Sequence, residues 1–193
     1  MFDHVGVPVS DLAASERFYR TVLSVLAVDP SHADAELVEW EDRAIGPTDS
    51  EHPVPAGSTS VHGGREDAVP AGCVDHLWIR VRDLPASRRF YTTIGLPAGL
   101  RVAHEEPGRV QLSGPDDSFS LVRDERPLTE HVHLAFPARE DATVRAFHAA
   151  ALAAGYEDHG APGERAVYHA GYYGAFVLDP DGHNVEVVNH NQG

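Results

Sequence analysis

The sequence repeats a motif, and this repeat limits the folds open to the chain. The letters DH at residues 3–4 and DLAASERFY at residues 11–19 return 72 positions later as DH at residues 75–76 and DLPASRRFY at residues 83–91. A match of this length at one fixed spacing indicates an internal duplication. In each copy an alternating apolar segment precedes apolar residues spaced three and four apart, which predicts a strand followed by an amphipathic helix.

A third unit keeps this order with different letters. HVHLAFPA, from His131, alternates as a strand, and a helix with its apolar face from Val144 to Leu152 should end near Gly155. Each helix of the second and third units should lead into three strands. We expect these strands at 100–105, 109–112 and 119–123, with a turn at 114–117, and then at 165–169, 174–179 and 184–189. The unit is therefore a strand, a helix and three strands, or βαβββ.

These units divide the chain into modules. We predict a partial module A at residues 1–56, a linker at 57–72 that is rich in Pro, Gly and Ser, and modules B (73–127) and C (128–193). Modules B and C together should form a complete two-module domain. The expected fold class is α+β, with paired βαβββ modules forming an open, curved mixed sheet around a cleft, and with an extra partial N-terminal module.

Composition narrows the possible partners and cofactors. The 193 residues include 30 acidic and 15 basic side chains, for a formal charge of −15, which disfavours nucleic acid and anionic membranes as partners. No apolar run approaches the roughly 18 residues of a membrane span, and the acidic N-terminus is unlike a signal peptide, so we expect a cytoplasmic protein. Cys73 is the only cysteine, which excludes an intrachain disulfide and a thiolate metal cluster. Histidine, with thirteen copies, is the abundant ligand type.

The last stretch of the chain predicts a hairpin that carries an acid. Its turn is Asp179 to Gly182, where Pro180 fixes the backbone and the glycine permits the return. On the returning strand Glu186 shares a face with Asn184 and Val188, because side chains alternate with period two.

The first strands of modules B and C each begin with a histidine that should face away from the helix of its module. His76 begins DHLWIRV and His133 lies in VHLAFPA, and alternation directs both to the face opposite the helix. If two such sheets curl around a shared cleft, His76, His133 and Glu186 converge and form a facial triad for a divalent metal such as Fe, Mn, Ni or Zn. His131 has the same parity as His133 and is an alternative ligand.

The module pattern, the DH head of module B, the HLAF head of module C and the closing DPDGHNVEVV resemble the vicinal oxygen chelate superfamily. This superfamily includes glyoxalases, extradiol dioxygenases and the fosfomycin and bleomycin resistance proteins. The resemblance implies a cleft metal held by one histidine from the first strand of each module and by a glutamate from the last strand. Those residues would be His76, His133 and Glu186.

Two features depart from the superfamily pattern. Some members have a fourth protein ligand, but aligning GPDDSFSL with DPDGHNVE puts Leu121 opposite Glu186, and leucine cannot bind a metal. Module A has His4 at the matching position without a partner module of its own. His4 is therefore expected to be structural or vestigial, or to line a second cleft formed with module A of another chain.

Other side chains are candidates for the cleft wall. We assign proton-carrying catalytic roles to Tyr168, His169 and Tyr173, although aromatic residues at strand ends also serve packing. Trp78, Arg80 and Tyr172 are assigned to substrate binding, with an ordinary ion pair as the alternative for Arg80. His183, in the turn, is expected to be solvated.

These observations predict a metal-dependent enzyme acting on a small molecule with two neighbouring oxygens, either a glyoxalase-like lyase or isomerase or a dioxygenase. The alternative is a non-catalytic protein that binds a drug or metabolite, as bleomycin resistance proteins do. A homodimer is possible through an uncovered sheet edge of module A.

Overall fold

The computed structural model describes residues 3–24, 28–40, 43–47, 76–95, 99–114 and 118–191. The predicted linker at 57–72, the end of module A and residues 115–117 of the predicted turn lie outside these ranges. Within them the chain forms three βαβββ modules, and the α+β class expected from the sequence is confirmed. None of the described helices is long and apolar enough to cross a membrane.

Within the described residues, module A contains the five elements of a βαβββ unit. Its strand β1, helix α1 and strands β2, β3 and β4 span His4–Val9, Leu12–Ser24, His32–Ala33, Val38–Trp40 and Arg43–Pro47. Asp11 caps α1, because its Oδ1 accepts a hydrogen bond of 2.9 Å from the amide of Ala14. The later strands are short, which explains why alternation in the sequence did not reveal all of them.

Module B repeats this construction. Its strand β5, helix α2 and strands β6, β7 and β8 span His76–Arg80, Leu84–Gly95, Arg101–Glu106, Arg109–Ser113 and Ser118–Val122. Asp83 caps α2 through a hydrogen bond of 3.0 Å from the amide of Ala86 to its Oδ1. The aspartate that recurs in the sequence motif therefore has the same capping role in both copies.

Module C completes the chain. Its strand β9, helix α3 and strands β10, β11 and β12 span His133–Pro137, Asp141–Ala153, Glu157–Glu164, Tyr173–Leu178 and Asn184–Asn189. The strand expected at 165–169 lies instead at β10. This edge strand contains Pro162 and two glycines and pairs with β11 through two register shifts, so its polar sequence lacks the period of a regular strand.

Modules A and C, rather than B and C, share one sheet. The eight-stranded sheet has the order β10-β11-β12-β9-β1-β4-β3-β2, and β1 pairs antiparallel with β9. Module B forms its own four-stranded sheet in the order β5-β8-β7-β6. Strand β1 is therefore flanked by β9 and β4 and is not an edge of this sheet. The pair of modules that shares a sheet is thus made by the first and last modules, with module B between them in sequence.

A difference between the two copies of the motif accounts for this pairing. Gly6 of β1 lies directly opposite His133 of β9, and a glycine leaves room for the imidazole ring. Two residues after the repeated DH, module B has Trp78 at the position of Gly6. A tryptophan there would crowd the histidine, because directly paired side chains on one face are about 5 Å apart.

One apolar core joins all three modules on the helix side of the sheets. Val5 of module A, Phe90 of module B and Phe147 of module C all belong to it and are at most 3% exposed. Helix α3 covers β11 and β12, and α2 packs against α3. The opposite face of the eight-stranded sheet, which we call the ligand face, is therefore free to hold polar side chains.

Candidate metal centre

Three buried side chains converge on the ligand face. Nε2 of His4 lies 3.0 Å from Nε2 of His133, which lies 3.2 Å from Oε2 of Glu186. The third distance, from Nε2 of His4 to Oε2 of Glu186, is 3.8 Å. All three residues are at most 1% exposed. Three ligand atoms thus form a compact triangle at a point shielded from solvent.

Strand register brings the three residues together. Ala135 of β9 is paired with His4 of β1 on one side and with Glu186 of β12 on the other. His4, Ala135 and Glu186 therefore lie in one row across these strands. Directly paired residues share a face of a sheet, and a residue two positions away along the strand shares it too. His133 therefore lies on the same face. The small side chain of Ala135 leaves the space that the larger residues occupy.

The triangle suits a divalent first-row metal ion. Two donors at about 2.1 Å from an ion, at right angles to each other, are about 3.0 Å apart, and a tetrahedral angle gives about 3.4 Å. The two shorter distances, 3.0 and 3.2 Å, fall in this range. Two imidazoles and one carboxylate are also the donor set of facial triads that leave coordination positions open. The residues present therefore fit a metal ion.

Two neighbours fix the carboxylate of Glu186. The hydroxyl of Tyr172 donates a hydrogen bond of 2.7 Å to its Oε1. Burial, with the charge of Glu186, raises the pKa of Tyr172 far above its ordinary value, so the hydroxyl stays protonated and acts as a donor. Gly174 supplies space, since a Cβ there would lie 2.6 Å from the same oxygen.

Asp3 supports His4 from the other side of its ring. Its Oδ1 lies 2.8 Å from Nδ1 of His4. Burial raises the pKa of Asp3, but hydrogen bonds with His190 and His4 outweigh burial and lower it, so the carboxyl is ionised. A carboxylate can only accept, so Nδ1 of His4 carries a proton, and in the neutral ring Nε2 has its lone pair available for the triangle.

Neighbouring carboxyl groups raise the pKa of His4. Burial lowers the pKa, but the hydrogen bond and charge of Asp3, with the charge of Glu186, hold it above the ordinary value of 6.5. Glu39, buried on β3, raises it further. Glu39 pairs with Ala44 of β4 and shares the ligand face, so it is a third buried carboxyl group in this region besides Asp3 and Glu186.

No protein ligand occupies the position equivalent to Glu186 in module A. The register of β1 with β4 puts Ala44 opposite Gly6, just as Glu186 is opposite Ala135. In module B the equivalent residue is Ser120, which is opposite Trp78, and not Leu121 as the sequence alignment predicted. Three protein ligands are therefore what the described strands of modules A and C offer.

His76, predicted as the third ligand, does not join this group. It is exposed on β5 in the sheet of module B, and His4, expected to be structural, occupies the place assigned to it. Trp78 and Arg80, assigned to substrate, lie on β5 as well. The ring of Trp78 lies 4.5 Å from the guanidinium of Arg109. Arg80 forms the ion pair considered as its alternative role, with Nε 3.3 Å from Oδ1 of Asp124.

The predicted catalytic residues have different surroundings. Tyr168 packs on Tyr172, with ring centroids 4.8 Å apart, and burial together with the charge of Glu186 raises its pKa. Its neighbour His169 lies 2.8 Å from His190. Tyr173 is paired with Asn189 and packs with the apolar core near Arg145 of α3. Tyr173 therefore lies on the helix side of the sheet and not on the ligand face.

The burial of two further histidines shows where each of them lies relative to the site. His131, the alternative to His133, is exposed and precedes β9, so it is outside the triangle. His183 is fully buried instead of solvated, and its Nδ1 accepts a hydrogen bond of 3.2 Å from the amide of Val132. Burial lowers the pKa of His183 and favours the neutral ring.

Sequence reasoning missed the outer partners of the site, namely Asp3, Glu39 and His190. A signal for Asp3 was present, because DH opens both copies of the repeated motif. Glu39 lies in the alternating segment ELVEW, where its face depends on a register that the sequence does not specify.

Paired βαβββ modules whose first and last strands bring two histidines and a glutamate together define a class of metal-site proteins. A sequence profile of the Glyoxalase/Bleomycin resistance protein/Dioxygenase superfamily matches residues 74–187, which is more than half of the chain. The chain belongs to this superfamily. The match covers modules B and C, whereas the shared sheet joins modules A and C.

Solved structures show the same fold. A glyoxalase/bleomycin resistance protein from Albidiferax ferrireducens T118 is 27% identical, with a TM-score of 0.52, over 60% of this chain and 96% of that one. A putative glyoxalase from Bacillus halodurans is 20% identical, with a TM-score of 0.52, over 61% and 96% of the two chains. A lactoylglutathione lyase from Agrobacterium tumefaciens is 21% identical, with a TM-score of 0.50, over 65% and 99%. A comparison with curated protein sequences found no match.

Proposed function

We propose that the protein is a metal-dependent enzyme in which His4, His133 and Glu186 bind one divalent ion and present it to a small molecule with two neighbouring oxygens. The observation that carries this proposal is the triangle of Nε2, Nε2 and Oε2 atoms with sides of 3.0, 3.2 and 3.8 Å. When bound, such an ion supplies Lewis acidity and stabilises the negative charge that develops on the substrate oxygens.

The residues of the chain prepare the site for this chemistry. Asp3 sets the tautomer of His4, and Tyr172 fixes the carboxylate of Glu186. His4 and Glu186 therefore need little rearrangement when the ion binds. With three protein ligands, positions around the ion stay open for a bidentate substrate. The three residues are shielded from bulk water, which strengthens electrostatic interactions with a bound substrate.

Membership in the superfamily supports the reaction class at a coarse level. The matching profile combines glyoxalases, bleomycin resistance proteins and dioxygenases. The proposal therefore includes both a glyoxalase-like lyase or isomerase and a dioxygenase, with Fe, Mn, Ni or Zn as the ion. A cytoplasmic location and a homodimer stay predictions from the sequence, and light scattering tests the homodimer.

The experiment is a measurement of metal content in matched variants. We expect about one divalent ion per chain in the purified protein by elemental analysis, and loss of that ion in His4→Ala and Glu186→Ala, because two remaining ligands bind weakly. Activity toward small α-hydroxycarbonyl and catechol substrates should be lost in the same variants and after chelation.

His76→Ala is the matched control, because His76 has the equivalent place in the repeated motif but lies in the other sheet. It should keep the metal and the activity. Retention of metal in His4→Ala, or its loss in His76→Ala, would contradict the proposed ligand set. A wild-type protein that stays metal-free after incubation with these ions would instead favour a non-catalytic binding protein.

A further inference from the structure

A chain of hydrogen bonds continues outward from the candidate metal centre. It begins at Nδ1 of His4, which lies 2.8 Å from Oδ1 of Asp3. The second oxygen of Asp3 lies 2.8 Å from Nε2 of His190. Nδ1 of His190 lies in turn 2.8 Å from Nε2 of His169. The segment at the start of β1 is thus joined to His190, the residue that follows β12, through one buried carboxylate.

The directions of these hydrogen bonds follow from the chemistry of the groups. A carboxylate can only accept, so both His4 and His190 donate to Asp3. Nδ1 of His190 then lies against Nε2 of His169, and Nδ1 of His169 lies 2.9 Å from the carbonyl oxygen of Ala170, which can only accept. Asp3 therefore favours the tautomer of His4 with its proton on Nδ1, and it anchors His190 through Nε2.

His190 also contacts the residue that holds the other side of the site. Its ring meets the ring of Tyr172 edge to face, with centroids 5.2 Å apart, and Tyr172 is the donor to Glu186. On its outer side the ring of His190 stacks on that of His169 at 5.1 Å with an interplanar angle of 17°. His190 therefore touches the outer partners of two of the three proposed ligands.

We infer that Asp3 and His190 are positioning residues of the metal centre. Asp3 keeps the lone pair of Nε2 of His4 directed at the triangle, and His190 keeps Asp3 in the orientation that allows this. Ligating histidines generally donate their second N–H to such a partner, and loss of the partner weakens metal binding about 10- to 100-fold. The inference rests on the proposed function, since it requires a metal at the triangle.

A purely structural role makes a different prediction. If Asp3 only joined the two ends of the chain, its removal would lower the stability of the metal-free protein. Its removal would then leave the affinity of the folded protein for metal, and the spectrum of the bound ion, unchanged. Metal affinity and the ligand environment of the ion therefore distinguish the two roles, whereas stability alone does not.

The experiment uses Co²⁺ as a spectroscopic probe with the full chain. We expect Asp3→Asn to bind Co²⁺ about 10- to 100-fold more weakly than wild type in competition with a chromophoric chelator. We also expect its visible absorption bands to shift, because the amide is a poorer partner for His4. His190→Gln, at a residue that is partly exposed, should weaken binding in the same direction by about 10-fold or less.

Asp158→Asn is the matched control. Asp158 forms another carboxylate–histidine contact, 2.9 Å from His148, on the helix side of the sheet. This variant should bind Co²⁺ within about twofold of wild type, well below the loss that follows removal of an outer partner.

The outcomes separate this inference from the proposed function. If wild type binds no Co²⁺, the proposed function fails. If wild type binds Co²⁺ and both Asp3→Asn and His190→Gln bind it with the wild-type affinity and spectrum, the positioning role is overturned while the metal site stands. If Asp3→Asn does not fold, His190→Gln alone decides between the two roles.

Discussion

The hydroxyl of Tyr172 donates a hydrogen bond of 2.7 Å to one oxygen of Glu186, while the other oxygen of that carboxylate lies 3.2 Å from His133. The two oxygens thus have separate roles, since one is anchored by the protein and the other faces the imidazoles. A carboxylate held at one oxygen has lost its torsional freedom before an ion arrives. Tyr172, assigned from sequence to substrate binding, is in this arrangement a support for a ligand.

Removal of this hydroxyl should therefore weaken metal binding without removing a ligand. We expect Tyr172→Phe to lower the affinity for Zn²⁺ about 10-fold, because outer partners of metal ligands contribute at this level. Isothermal titration with Zn²⁺ measures the change. Tyr168→Phe is the control, since its ring packs against Tyr172 at 4.8 Å on the same side of the sheet. Equal affinities of the two variants would contradict the support role.

Protonation of His4 should make metal binding depend on pH. The pKa of His4 is raised, chiefly because the hydrogen bond and charge of Asp3 overcome the effect of burial. A metal ion needs the lone pair of Nε2, so binding must displace the proton where His4 is protonated. Affinity should rise as pH increases through the raised pKa, and calorimetry below that pKa should detect a proton released from His4.

The raised pKa of His4 should also make the stability of the metal-free protein depend on pH. Metal affinity should rise with pH, whereas this contribution to stability should fall. A raised pKa in the folded state gives stability that is complete below the ordinary value of 6.5 and is lost as pH rises through the folded pKa. The difference in unfolding free energy between wild type and His4→Gln isolates this contribution and should shrink with rising pH. A pH-independent difference for His4→Gln would show that the pKa of His4 is not raised in the folded protein.

The sequence was sufficient for the type of fold and for two of the three residues in the triangle. The duplication and the strand and helix periods predicted the βαβββ unit, because they reflect local alternation and capping. Alternation also placed His133 and Glu186 on the face away from the helices, where the structure has them. Each of these predictions needed only the two-residue alternation of side chains along one strand and the direction in which the chain runs.

The choice between His4 and His76 could not be made in this way. Both follow an aspartate at the head of the same motif, so local sequence gives them equal claims. The choice depends on which strand pairs with β9, and that depends on the space beside His133. Gly6 provides this space in module A, whereas Trp78 occupies the equivalent position in module B. Pairing between strands distant in sequence is a tertiary property that periodicity does not contain.

Module B, although outside the shared sheet, contacts the turn that precedes β12 and Glu186. The hydroxyl of Tyr91 in α2 donates a hydrogen bond of 2.9 Å to Oδ2 of Asp179, and both residues are at most 5% exposed. Oδ1 of Asp179 accepts hydrogen bonds from the backbone amides of Asp181 and His183 within the turn. Burial raises the pKa of Asp179, so each remaining donor matters for the stability of its charged form.

Tyr91→Phe should therefore lower the unfolding free energy by about 1–3 kcal/mol, because it leaves a buried oxygen of Asp179 without this donor and creates no cavity larger than a hydroxyl group. Chemical denaturation at neutral pH measures the loss. Tyr173→Phe is the control, since its half-buried hydroxyl makes only a 3.4 Å contact with Arg145, and its removal should change the free energy by less than about 0.5 kcal/mol. If the two variants were equally stable, the contact between α2 and the turn would contribute nothing specific. A selective loss in Tyr91→Phe means that module B stabilises the strand that carries Glu186 through this buried carboxylate.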